Sequence, residues 1–185
     1  MAEFDPASRL RQLFEIFAGK LPVQVPEFEI VPGEEVPPPY RDLLVHNEHM
    51  TVTLEQFHGR PVELRVLARH VEGGEYARMI LLALEGTDEI VEFGIIRLDL
   101  NCCSKKVQDE IVAGNTPLGR ILIEHDVLRR IDPTAFLEIR PTDALKEWFG
   151  ISENRPTYGR LASIYCNNAL AIELLEVVRP EPQNV

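Results

Sequence analysis

Tyr76-Ala77-Arg78-Met79-Ile80-Leu81-Leu82-Ala83-Leu84 is the stretch that decides how this chain folds. It is apolar on both faces of a period-two pattern. Turn signals bound it, with Gly73-Gly74 before and Gly86-Thr87-Asp88 after. Such a strand belongs in the middle of a sheet or beneath a layer of helices. Between Tyr76 and Glu85, Arg78 is the only charged residue, and as part of a strand it shares a face with Tyr76, Ile80, Leu82 and Leu84.

Working outward, Pro61–Val71 alternates Val62, Leu64, Val66 and Ala68 with Glu63, Arg65 and Arg69, as a strand with one wet face does. Ile90–Leu100 and Val127–Ile139 read as further strands. Tyr158–Tyr165 and Ala169–Val178 read as a final hairpin about Asn167-Asn168. A first helix is capped by Asp5, begins at Pro6 and closes at Gly19, with Leu10, Leu13, Phe14 and Phe17 as its apolar stripe. Residues 21–39 are proline-rich, which predicts an extended lead-in. Helices are predicted at Tyr40–His46, Glu48–Phe57, Lys105–Ala113, Pro117–His125 and Asp143–Phe149, several of them ended by a glycine. The expected fold is α+β: a single six-stranded antiparallel sheet with helices on one face. One domain is expected over residues 1–185, with 1–39 as its N-terminal helix and lead-in.

Composition narrows the function. The chain has 185 residues, 45% hydrophobic and 26% charged, which suits one well-filled core. A formal charge of −11 speaks against nucleic-acid binding, which needs clustered Lys and Arg. It also means that an anionic ligand needs a local, enclosed positive site. Cys102 and Cys103 are adjacent, no CxxC occurs and no signal peptide is evident, so reduced thiols and a cytoplasmic location are expected. No apolar run approaches the ~20 residues of a membrane-spanning helix, and no membrane role is expected.

Arg78 is one of two charges placed where charge is expensive. In Ala169–Val178, period two sends Glu173 to one face and Glu176 to the other, so at least one glutamate lies among apolar neighbours. A buried charge costs several kcal/mol unless paired. Arg78 and a glutamate therefore form either a structural ion pair or a ligand site. Gly114-Asn115-Thr116-Pro117-Leu118-Gly119-Arg120 adds a turn and a helix start whose free N–H groups suit an anion. His46-Asn47-Glu48-His49-Met50-Thr51 suggests a metal at first sight. It is one residue short of the His-x-x-Glu-His zinc pattern, so no metal is expected.

Four segments, His49–Leu67, Tyr76–Leu84, Asn115–Leu122 and Ala171–Val178, resemble chorismate lyase in order and spacing, in particular its divergent bacterial and archaeal relatives. The resemblance runs from about Leu43 to Val178. It implies a six-stranded antiparallel sheet and a ligand enclosed in a cavity beneath flap-like helical segments. It also implies conversion of chorismate to 4-hydroxybenzoate and pyruvate by elimination, with no cofactor, feeding ubiquinone or phenolic-compound synthesis. By the same resemblance Arg78 pairs with the ring carboxylate. Met50 and the Leu118-Gly119 step supply main-chain contacts, and Glu173 acts as general acid at the departing enolpyruvyl ether. Arg160, on the strand expected to pair with that of Glu173, is assigned by position to the second carboxylate.

The alternative is a non-catalytic domain of the same fold that binds or senses a small hydroxybenzoate-like ligand. Effector domains of one bacterial repressor family have this fold and follow a helix-turn-helix domain. The first 40 residues hold one helix and a proline-rich segment, which favours a stand-alone enzyme. A monomer is expected, with a dimer left open.

Overall fold

The computed structural model describes residues 5–166 and 169–180. Seven strands form one open antiparallel sheet in the order β1-β5-β6-β7-β4-β3-β2. They are β1 Glu27–Val31, β2 Val62–Glu72, β3 Glu75–Leu84, β4 Ile90–Asp99, β5 Arg129–Arg140, β6 Thr157–Cys166 and β7 Ala169–Val178. The α-helices are α1 Pro6–Glu15, α2 Tyr40–Leu44, α3 Met50–His58, α4 Lys105–Ala113, α5 Leu118–Glu124 and α6 Asp143–Phe149. None is long and apolar enough to cross a membrane.

The seventh strand corrects the expected six. β1 lies inside the proline-rich lead-in and pairs with β5 from Glu27↔Arg140 to Val31↔Phe136. Pro26 and Pro32 flank it without interrupting it, and as an edge strand it needs hydrogen bonds on one side only. Five residues between prolines carry too little alternation to announce a strand.

A second correction concerns the helix layers, which cover both faces of the sheet. On one face α1 and α6 pack over Ala77, Met79, Ile95 and Leu175. Phe93 links them, with its ring centroid 6.2 Å from that of Phe14 and 5.4 Å from that of Trp148. The other face carries α2 and α3 over Ile80 and Leu82, and α4 and α5 over Tyr76, Ile96 and Leu174. The two-sided cover is why β3 is apolar on both faces: every residue from Tyr76 to Leu84 is buried.

Local signals set the helix ends. Asp5 accepts from the Ala7 and Ser8 N–H groups, and Ser104 and Thr142 cap α4 and α6. Gly59, Gly114 and Gly150 end α3, α4 and α6 in the left-handed conformation that glycine tolerates best. α2, α3 and α5 have no side-chain cap at their N-termini. β6 and β7 form the final antiparallel pair, and their Asn167-Asn168 turn lies outside the described residues.

Candidate functional site

Pairing register determines which side chains meet. Arg78 is opposite Ile96, which is opposite Leu174, so all three point to the face covered by α2 to α5. One step along β7, Glu173 is opposite Arg97 and points to the α1 side. A recess opens between the first face and the starts of α3 and α5, lined by Met50, Thr51, Arg78, Glu92, Leu118 and Gly119, among others. Its volume is about 50 Å³, room for a few waters and far below the ~300 Å³ or more of ordinary ligand pockets.

Arg78 is 1% exposed. Its Nη1 donates to Ile111 O and its Nη2 to Thr116 O, both at 3.4 Å, the long end of the hydrogen-bond range. Its Nε, like the buried Tyr76 hydroxyl, has no hydrogen-bond partner, and no carboxylate pairs with Arg78 among the described residues. Burial pulls the guanidinium's pKa down, while the Tyr76 phenol, near enough to act on the guanidinium but not in normal hydrogen-bond geometry with it, works in the opposite direction. The first N–H groups of α3 and α5, which no side chain caps, belong to Met50, Thr51, Leu118 and Gly119. The two helix starts touch: a Cβ on Gly119 would come within 3.0 Å of His49 Cβ.

The far side of the recess is acidic. Glu92 is 3% exposed and its Oε2 has no partner. Burial, then the charge of Glu176, raises its pKa well above the usual carboxylate range, with Arg160 opposing. Glu176 is bound by Arg160, whose Nε donates to its Oε2 at 2.6 Å. The remaining Arg160 donors reach the carbonyls of Leu44, His46 and Glu48 at 3.2, 2.9 and 3.1 Å. Arg160 therefore pins the segment between α2 and α3 to the sheet.

Among the residues singled out from the sequence, Arg78, Met50, Leu118 and Gly119 come together around the recess. Arg160 lies beside it with its donors engaged. Glu173 is not there. It pairs with Arg9 of α1 and lies 3.9 Å from Arg97 on the opposite face. The glutamate of β7 on the Arg78 side is Glu176. The sequence reading also missed Glu92, although Glu92 stands alone among apolar residues in Ile90–Ile96, the same signal that marked Arg78.

The two histidines of the His46–Thr51 stretch serve structure. His46 Nε2 lies 2.7 Å from Leu43 O. His49 precedes α3, and its Nε2 accepts from Arg129 Nε at 2.5 Å. Burial, then the charges of Arg129 and Arg160, hold its pKa down to about 4, so the ring is neutral at physiological pH.

No family model and no curated protein matches this chain. Solved structures do. The effector domain of PhnF from Mycobacterium smegmatis is similar with a TM-score of 0.50 and 12% identity, covering 71% of this chain and 88% of that one. The PhnF chain itself matches with a TM-score of 0.49 and 12% identity over 71% of this chain, which spans 63% of that chain. A GntR-family transcriptional regulator from Bacillus cereus matches with a TM-score of 0.45 and 11% identity, covering 67% and 97%. At such identities the likeness shows the fold alone. The PhnF match is to an effector domain and not to a lyase, and it corrects the expectation of a chorismate lyase, together with the enzyme activity and the ubiquinone or phenolic pathway attached to it.

Proposed function

We propose that this chain is a non-catalytic binding or sensor domain for a small carboxylate, seated between Arg78 and the starts of α3 and α5. The observation that carries the proposal is the guanidinium of Arg78, buried with two long carbonyl contacts, an unpartnered Nε and no counter-anion among the described residues. A buried, unpaired charge is costly, and a carboxylate bound bidentately satisfies it with two charge-assisted bonds. The uncapped N–H groups of Met50 and Thr51, at the positive end of α3, favour the same charge. The fold shared with the PhnF effector domain supports a sensing role over a catalytic one.

The recess is too small for a ring-sized ligand as it stands, so binding lifts α3 and α5 from the sheet. That motion works against the Arg160 contacts to the α2–α3 segment and the ion pair of Arg120 with Glu55 between α5 and α3. Ligand occupancy thereby becomes a displacement of surface helices, the kind of change a sensor transmits.

The test compares the wild-type protein with Arg78→Met by calorimetry and thermal shift against a panel of small carboxylates. At least one carboxylate should bind the wild type and be recovered chemically unchanged after incubation. Arg78→Met should bind it at least tenfold more weakly. The variant itself should be as stable as the wild type or more stable by about 1–4 kcal/mol, since an unpaired buried charge is gone. Undiminished binding by Arg78→Met would show the assignment to be wrong.

A further inference from the structure

We infer that Glu92 forms an uncharged second pole of the recess, so that the site selects a small monoanion carrying a hydrogen-bond acceptor at its far end. The inference rests on the reading of Arg78 as the anion site.

Three observations carry it. First, Glu92 and Arg78 share a face: Glu92 is opposite Leu82 and Arg78 is opposite Ile96, four residues along β4, or about 13 Å of strand. Second, the residue midway between Glu92 and Ile96 is Gly94, so β4 itself puts no side chain on the floor between the two poles, and Ile80, opposite Gly94 on β3, is the side chain that borders it. A Cβ on Gly94 would lie 3.4 Å from Glu92 Oε1, so the carboxyl lies beside that glycine. Third, Glu92 lines the recess, and its buried Oε2 has no hydrogen-bond partner. A buried polar atom left unsatisfied costs about 1–3 kcal/mol, which a ligand group can recover.

The charge state follows from the surroundings. Glu176 on β7 lies on the same face and carries its charge against Arg160 on β6. With Arg160 engaged by Glu176 and three carbonyls, Glu92 has no cation of its own and holds its proton, as its raised pKa also indicates. Arg78 on β3 and the neutral His49 at the start of α3 complete the titratable groups facing the recess. A protonated carboxyl donates to a hydroxyl or carbonyl oxygen. A second carboxylate on the ligand meets the negative charge of Glu176 and is rejected.

The experiment uses four carboxylates of one chain length that differ only at the far end: hexanoate, 6-hydroxyhexanoate, adipate and 6-aminohexanoate. Calorimetry on the wild-type protein should rank 6-hydroxyhexanoate about tenfold above hexanoate, the factor one net hydrogen bond supplies, with adipate weakest. Glu92→Gln, a neutral donor of the same shape, should keep that ranking, and Glu92→Leu should erase it. Equal affinity for hexanoate and 6-hydroxyhexanoate, with Arg78→Met losing both, overturns the role of Glu92 and leaves the anion site standing. Tightest binding of 6-aminohexanoate means an ionised Glu92 and overturns it too. Failure of every carboxylate tried, these four and the wider panel, removes the Arg78 site and this inference with it.

Discussion

Arg78 and Glu173 stand on opposite faces of the same sheet, with β4 between their strands. Arg78 looks toward α4 and α5, and Glu173 ties the sheet to Arg9 of α1. A guanidinium and a carboxyl so placed cannot hold two ends of one ligand. Glu173→Gln is therefore expected to leave carboxylate affinity unchanged. Both partners keep some contact with water, so the loss of stability should stay near or below about 1 kcal/mol. Urea denaturation of Glu173→Gln, Arg9→Met and the double variant measures the coupling directly. A large drop in ligand affinity for Glu173→Gln would contradict the face assignment.

Arg160 calls for a different expectation. It is buried, and its donors hold Glu176 and three carbonyls of the segment between α2 and α3. Arg160→Met strands a carboxylate and three acceptors, and should cost about 3–5 kcal/mol. Arg160→Lys keeps the charge but not the fork of donors, so it should recover only part of that loss. Amide hydrogen exchange at Val45–His49 should accelerate in both variants more than exchange in β3. Uniform acceleration across the chain would mean that Arg160 braces the whole fold and not that segment.

Most of the sheet was legible because period-two alternation and glycine turns act locally. Tyr76–Leu84 declared a strand apolar on both faces, but it did not declare the second helix layer that covers it. The stripe of α1 was legible too, but the face it covers depends on Phe93 and Trp148, far away in the chain. Parity alone separated Glu173 from Glu176. Which of them faces Arg78 depends on the pairing Ile96↔Leu174, and a slip of one residue would reverse it. Resemblance supplied a choice that the register does not support. The meeting of Met50 with Leu118 joins two helix starts on separate segments, and nothing in either segment encodes it. Glu92 was within reach of the rule that found Arg78, a single charge in an apolar strand.

His49 ties stability to pH. Its pKa falls from 6.5 to about 4 on folding because the ring is buried beside Arg129 and Arg160. Above pH 6.5 both folded and unfolded rings are neutral. Between 6.5 and about 4 the unfolded chain takes up a proton that the folded protein refuses, so stability falls as the pH falls. The full loss is about 3 kcal/mol. His49→Gln keeps an acceptor for Arg129 Nε without the titration. The stability difference between wild type and His49→Gln, from urea midpoints at a series of pH values, should therefore change across this window and level off above it. A constant difference would show that His49 does not titrate there.

Gly94 separates a binding defect from a folding defect. An alanine Cβ at this position would lie 3.2 Å from Ile80 Cδ1, 3.3 Å from Ile80 Cγ1 and 3.4 Å from Glu92 Oε1, all side-chain atoms and none of them backbone. The neighbours can yield by a few tenths of an ångström, so Gly94→Ala should cost about 1 kcal/mol and fold normally. The added methyl fills the floor between Arg78 and Glu92, and carboxylate affinity should drop at least tenfold. Gly159→Ala supplies the contrast, because its Cβ would come within 2.7 Å of the Glu176 carbonyl oxygen, which the sheet holds in place. That variant should lose stability by several times as much in urea. If Gly94→Ala folds and binds as the wild type does, the space above Gly94 is not where the ligand lies.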